Sequence, residues 1–279
     1  MGIYKDYLNS IYNDGAGGGG AVAITTKMID SEVGIKVVDE NGYVGATLTN
    51  YFPHVENTYY NNYAIVVEDT DFSQSGLGRV TFITPGSADI GGRTYRTVNI
   101  GGVNWLAENL DFKFSGCNIG GGGTPSTPNA WYYNNDEATY GIDGTKKCGL
   151  LYNWYAVKLL EDNKSTLCPG WHVPTNDEWT ALANAVGGAS TAGTRLKAAN
   201  VSWAASWGGT DDYGFGILPA GFRGPDSFDG LGSYASFWTA YDLSTDKAYS
   251  CLFFTGTSMN SYSNVKTDAY SVRLVKDSA

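Results

Sequence analysis

The chain has 279 residues, 42% of them hydrophobic, enough for one large or two modest domains with packed cores. Its 18 Lys and Arg stand against 28 Asp and Glu, a formal net charge of -10 with no basic run, which excludes a protein that grips nucleic-acid phosphates. No apolar run approaches the length of a membrane span and residues 1–8 are too polar for a signal-peptide core, so no membrane insertion is expected.

Residues 1–20 read as an N-terminal attachment segment with a Gly-rich linker. Tyr4, Leu8, Ile11 and Tyr12 make an apolar stripe at helical spacing, and Gly15-Ala16-Gly17-Gly18-Gly19-Gly20 follows. A helix this short is marginal alone, so it has to dock, either on its own domain or on an oligomer or larger particle. Residues 21–86 read as a small β domain. Val33, Ile35 and Val37 alternate, Asp39-Glu40-Asn41-Gly42 supplies turn chemistry, and Tyr43, Val44, Ala46 and Leu48 return as the second arm of a hairpin. Further strands are expected at residues 64–68 and 79–83, with Thr84-Pro85-Gly86-Ser87 as the boundary.

Residues 87–279 form the second domain, and its clearest element is a helix start. Thr175 and Glu178 have the spacing of a capping box, in which the hydroxyl accepts from the third helical N–H and the carboxylate reaches back to the cap. Trp179, Leu182, Ala183 and Val186 then share one helical face, and Gly187-Gly188 stop it. Gly120-Gly121-Gly122-Gly123-Thr124-Pro125 lacks the Lys-Ser or Lys-Thr of a phosphate loop and reads as a flexible loop, and residues 206–216 are also turn-rich.

Several stretches of this domain carry a family resemblance. They are Gly91-Gly92-Arg93-Thr94-Tyr95-Arg96 with Val103-Asn104-Trp105-Leu106-Ala107-Glu108-Asn109-Leu110, then Gly149-Leu150-Leu151-Tyr152-Asn153-Trp154-Tyr155-Ala156-Val157, then Cys168-Pro169-Gly170-Trp171-His172-Val173-Pro174-Thr175-Asn176-Asp177-Glu178-Trp179. Gly214-Phe215-Gly216-Ile217-Leu218-Pro219-Ala220-Gly221-Phe222-Arg223, Phe237-Trp238-Thr239-Ala240 and Ser271-Val272-Arg273-Leu274-Val275-Lys276-Asp277 complete the series. In this order they resemble the Fibrobacter succinogenes major paralogous domain, a family related to the C-type-lectin fold. The resemblance implies an α+β fold, a C-type-lectin-like domain preceded by the small β domain and the short N-terminal helix. It implies that Trp105, Trp154, Trp171, Trp179 and Trp238 are core pins. It also implies a bridge from the position of Cys168 to the closing strand, where Leu274 stands instead, so that bridge is expected to be missing. For Cys117 and Cys148 a bridge and free thiols both stay open.

The chain has only two histidines, His54 and His172. His172 lies inside the structural motif between Trp171 and Val173, which favours a structural over a catalytic role. The cysteines form no Cys-x-x-Cys clip, and Asp211, Asp212, Asp226 and Asp229 come without the Glu-Pro-Asn or Gln-Pro-Asp signatures of calcium-dependent lectins, so no cofactor and no metal-dependent site are expected, while a structural ion on those aspartates stays open. Formylglycine-generating enzymes have a comparable segment around Thr175, but their chemistry uses a pair of reactive cysteines, and Cys251 stands alone near the C-terminal end. The expectation is a binding protein, not an enzyme.

Residues 224–270 are rich in Tyr, Ser, Asp, Gly, Thr and Phe, the vocabulary of paratopes, in which rigid aromatics give contact area at small entropic cost. In Ala248-Tyr249-Ser250-Cys251-Leu252-Phe253-Phe254, a period of two with Leu252 and Phe254 inward sends Tyr249, Cys251 and Phe253 outward. The expected ligand-binding set is therefore Asp226, Phe228, Asp229, Tyr234, Tyr241, Asp242, Tyr249, Cys251, Phe253 and Tyr262. Lectin folds are also what diversity-generating retroelements commonly diversify, and randomised Asn codons yield this residue vocabulary. The resulting expectation is an adhesin or receptor-binding protein of a phage tail or virion, made in the bacterial cytoplasm without a signal peptide. Its expected partners are a host-surface protein or glycan, virion or tail proteins through the N-terminus, and further copies in a homo-oligomer. The rival is a bacterial cell-surface binding protein.

Overall fold

The structure, a computed structural model, describes residues 33–35, 63–67, 80–83 and 86–278. Contacts divide the chain into two units, Met1–Phe82 and Ile83–Ala279. The first unit holds β1 (Val33–Ile35) and β2 (Tyr63–Val67), and β3 (Val80–Ile83) ends at the division; the three are hydrogen-bonded in that order, with β1 parallel to β2. The N-terminal helix and the second hairpin arm at residues 43–48 fall outside the described residues.

The second unit mixes α and β, with sheet predominating. One sheet has the order β10-β17-β6-β5-β4, built from β4 (Gly86–Ile90), β5 (Arg93–Ile100), β6 (Val103–Leu106), β10 (Trp171–His172) and β17 (Val275–Lys276). The other runs β15-β14-β13-β11-β16-β9-β8-β7, with β12 added beside β11. Its strands are β7 (Asn118–Ile119), β8 (Asn129–Trp131), β9 (Leu151–Asn153), β11 (Ala220–Arg223), β12 (Phe228–Leu231), β13 (Ala235–Asp242), β14 (Lys247–Phe253), β15 (Met259–Val265) and β16 (Ala269–Tyr270). The helices are α1 (Glu137–Tyr140), α2 (Trp154–Asp162), α3 (Lys164–Leu167), α4 (Asn176–Ala185) and α5 (Ala189–Leu196).

Local chemistry explains the elements that frame these sheets. β4, β5 and β6 form two hairpins whose two-residue turns are Gly91-Gly92 and Gly101-Gly102, all four at positive φ. That conformation matches the twist of the flanking strands and costs glycine nothing. In α4 the Thr175 hydroxyl accepts from the Glu178 N–H at 3.2 Å and the Glu178 carboxylate accepts from the Thr175 N–H at 2.8 Å, the expected capping box. Beyond its last turn, the Gly188 N–H donates to the Ala183 carbonyl at 2.8 Å.

Two large cores result. One packs α2, through Ala156, Val157 and Leu160, against Tyr95, Leu106, Tyr152, Trp171 and Trp238. The other packs α4 and α5, through Trp179, Leu182, Ala192 and Leu196, against Trp105, Phe215, Phe237 and Phe253. All five tryptophans expected as core pins are buried. Arg273 holds the closing segment in place: its guanidinium donates to Asn109 Oδ1 and to the carbonyls of Leu106, Phe215 and Gly216, at 2.7 to 3.1 Å.

Candidate ligand-binding surface

The C-terminal strands β13, β14 and β15 form an antiparallel meander with uninterrupted register from Lys247 opposite Val265 to Phe253 opposite Met259. Side chains along each strand alternate between the two faces. Ser236, Ser250, Leu252, Asn260, Tyr262 and Asn264 fall on one face by this register, while Phe237, Tyr249, Cys251, Phe253, Ser261 and Ser263 fall on the other.

On the first face the rings form a row. Tyr234 meets Phe254 edge-on with centroids 4.9 Å apart, Phe254 meets Tyr262 at 6.5 Å, and Phe222 adjoins Tyr234 at 6.3 Å. Tyr262 is 48% exposed and Tyr234 37%. Beside them the buried Ser250 hydroxyl receives bonds from the Ser236 hydroxyl at 3.0 Å and from Asn264 Nδ2 at 2.6 Å, which fixes the spacing of the three strands.

The edge of this surface is clamped from below by Lys197, which is fully buried. Its ammonium donates to the carbonyls of Trp207 at 2.5 Å, Phe254 at 2.9 Å and Gly256 at 2.8 Å, and lies 4.6 Å from the Trp207 ring centre. Burial lowers its pKa to about 8. One cation thus ties the turn after β14, and with it the ring row, to the turn-rich segment around Trp207.

Several expected site residues lie elsewhere. Cys251 and Phe253 are buried, not displayed: Phe253 packs 6.1 Å from Phe237 and 6.2 Å from Trp179. The reason is that α4 and α5 cover this face of β14 at its Phe253 end, whereas at its Lys247 end Ala248 and Ser250 are the buried residues, on the opposite face. Leu252 and Phe254, expected inward, are half-exposed. Tyr241 and Tyr249 do stack edge-on, 5.4 Å apart, with Tyr241 53% exposed, but they belong to the face opposite Tyr262. Asp242 is exposed and pairs with Lys266 at 2.6 Å. Phe228 packs on Tyr133 at 5.2 Å, Asp229 accepts from the Gly230 N–H, and Asp226 is exposed on the preceding turn. The ten residues therefore divide among two sheet faces, a core and the β11–β12 hairpin. Phe254 and Phe222, which the structure adds beside Tyr234 and Tyr262, carried no signal in the sequence beyond being apolar.

His172 joins two elements, consistent with a structural role. Nδ1 lies 2.6 Å from Asp277 and Nε2 lies 2.8 Å from Glu178, so the imidazole ties the cap of α4 to the closing segment. The Glu178 hydrogen bond, then the Asp277 bond against burial, raises its pKa above the ordinary value. All four cysteines are free thiols. Burial pushes Cys117, Cys148 and Cys168 up to about 12 and Cys251 well above the ordinary thiol range. Leu274, in place of the bridging cysteine, is fully buried.

A depression of about 300 Å³ lies away from the meander, between Arg93, Asp111, Lys113, Tyr132, Glu137 and Asp143. Its charges are already matched: Arg93 with Asp143 at 2.6 Å, Lys113 with Glu137 at 2.7 Å, and the Tyr132 hydroxyl donating to Asp111 at 2.7 Å. Among the described residues, no group of three or more His, Cys, Asp or Glu converges as a metal site. Asp211 instead accepts from the Gly216 N–H, and Asp212 faces Arg195 at 3.8 Å.

A family model described as Fibrobacter succinogenes major domain matches residues 98–276. No curated protein and no solved structure matches significantly.

Proposed function

Because the chain belongs to the Fibrobacter succinogenes major domain family, we propose that its second unit is a C-type-lectin-like binding domain serving an adhesin or receptor-binding protein of a phage tail or virion. The ligand is a protein or glycan of the host surface. The observation that carries this reading is the ring row Tyr234, Phe254 and Tyr262, held open to solvent on a rigid meander. An exposed aromatic cluster is a solubility cost that a protein retains where something uses it. Rigidity beneath the rings, from the Ser236–Ser250–Asn264 bonds and the Lys197 clamp, reduces the ordering cost of binding. Diversification of the C-terminal residues by a retroelement, and attachment through residues 1–20, belong to the same proposal.

The surroundings of Cys251 support the binding reading over the formylglycine-generating alternative. Cys251 is buried with no cationic partner among the causes of its raised pKa, the reverse of the environment that makes a reactive thiolate.

The test is binding of the labelled chain to intact bacterial cells and their purified surface fractions. Replacing Tyr234 and Tyr262 together with Ser should weaken binding roughly tenfold or more, as for aromatic hot spots. Unchanged binding by a folded double variant would remove the ring row from the recognition surface.

A further inference from the structure

Among the described residues of the second unit, every sheet edge is guarded except one. β7 and β10 are two residues long, β4 carries Asp89, and β12 carries Asp229 beside Gly230. Short edge strands and edge charges are the usual protection against unwanted strand pairing. β15 has neither. It is seven residues long, Met259-Asn260-Ser261-Tyr262-Ser263-Asn264-Val265, without charge, proline or glycine, and pairs with β14 along its whole length. It is the outermost strand of its sheet, and among the described residues no other backbone group pairs with the amides and carbonyls of residues 260–264. Ser261, Tyr262 and Ser263 are exposed.

We infer that β15 is a docking edge, and that the partner is an extended, uncharged or basic peptide segment of another protein, which joins the sheet as a further strand. This rests on the binding reading and narrows it from a host-surface protein or glycan to a polypeptide. Main-chain hydrogen bonds supply affinity in such an arrangement, and the two faces read alternate side chains of the guest. The faces here differ. Tyr262 stands on one, flanked by Asn260 and Asn264, and offers a rigid ring, while Ser261 and Ser263 on the other leave room for bulky guest side chains. Charge selects against a second copy as the guest, because it would bring together two bodies each carrying -10, whereas a neutral or basic segment meets no such repulsion.

The test pans a phage-displayed library of random dodecapeptides against the full chain. Enriched peptides should carry no net negative charge and place bulky side chains at every second position. A synthetic peptide from the set should slow amide exchange at residues 260–264 roughly tenfold or more. N-methylation at alternate positions should abolish binding in one phase and spare it in the other, because only one row of guest amides faces β15. Replacing Ser261 and Ser263 together with Lys should weaken capture roughly tenfold with an unchanged melting temperature, since edge lysines oppose strand addition. Failure to enrich peptides, protection of another surface, or a concentration-dependent dimer with β15 already protected would overturn the proposal. Wild-type attachment to cells by the double-Lys variant would sink the edge and leave the ring-row reading intact. Loss of cell attachment in the double-Lys variant alongside lost peptide capture would support both.

Discussion

The β4–β6 hairpins and the β13–β15 meander are both antiparallel, and the middle strand of each changes its buried face midway, but only β5 marks the change in its sequence. In β5 the buried residues Tyr95 and Thr97 give way to Val98 and Ile100, and the polar Arg96 and Asn99 stand at the positions left less covered. In β14 the buried parity changes midway, with Ala248 and Ser250 giving way to Cys251 and Phe253. Both strands run from one core to the next, so each end buries a different face; the difference is that Arg96 and Asn99 flag the uncovered positions of β5, whereas in β14 the uncovered Leu252 is as apolar as its buried neighbours. Alternation predicts which residues share a face, but packing decides which face is inside.

The largest expected effect breaks this comparison at its strongest point. Phe253→Ala should cost about 3–5 kcal/mol in denaturant unfolding, as for other buried phenylalanines, whereas an outward Phe253 would cost almost nothing. Lys197→Met should come next. It removes the donor from three carbonyls, and leaving a buried polar group unpaired costs about 1–3 kcal/mol. Amide exchange in residues 254–258 should rise along with the loss of stability.

Thr175→Ala sharpens the contrast with a purely local element. Loss of the cap should cost about 0.5–2 kcal/mol in thermal or chemical melts, with cell binding by the folded fraction retained. The neighbouring imidazole adds a pH signature. Since the folded pKa of His172 lies above its ordinary 6.5, its stabilisation is complete below that value and is lost as pH rises through the folded pKa. Melting temperatures of wild type and His172→Gln should therefore converge as pH increases from below 6.5, and a gap that widens instead would contradict the bridge to Glu178 and Asp277. The smallest effect should be that of Tyr262→Ser on stability, within about 0.5 kcal/mol, as expected of a surface position.

What was legible in the sequence was local. The Thr175–Glu178 box, the face Trp179-Leu182-Ala183 and the stop at Gly187-Gly188 are each set by neighbours within a few positions, and all appear as read. The β14 segment defeated the same method because both of its parities contain apolar residues, so period two had two solutions. Cys251 held the one available cue, since free cysteine is among the most often buried residue types. Lys197 and Arg273 were illegible for the opposite reason. A lone lysine reads as surface, and only the assembled fold supplies the carbonyls that make burial tolerable. The row Tyr234, Phe254 and Tyr262 likewise joins the turn before β13, the end of β14 and the middle of β15, whose adjacency depends on register.

The position of β17 between β6 and β10 has a consequence for how the chain comes into being. Arg273 donates to Asn109 and Leu106, 164 and 167 positions earlier, and Val275 pairs with Trp105 in the middle of the first sheet. A ribosome that has made everything up to β16 has therefore made a first sheet that lacks the strand between β6 and β10, and those two cannot join. Contacts this distant in sequence make folding slow, because the loop-closure entropy falls due before most of the packing is gained. Closure of the first sheet thus waits for β17, the last of its strands to be made, and the edges of β6 and β10 stay exposed until it happens.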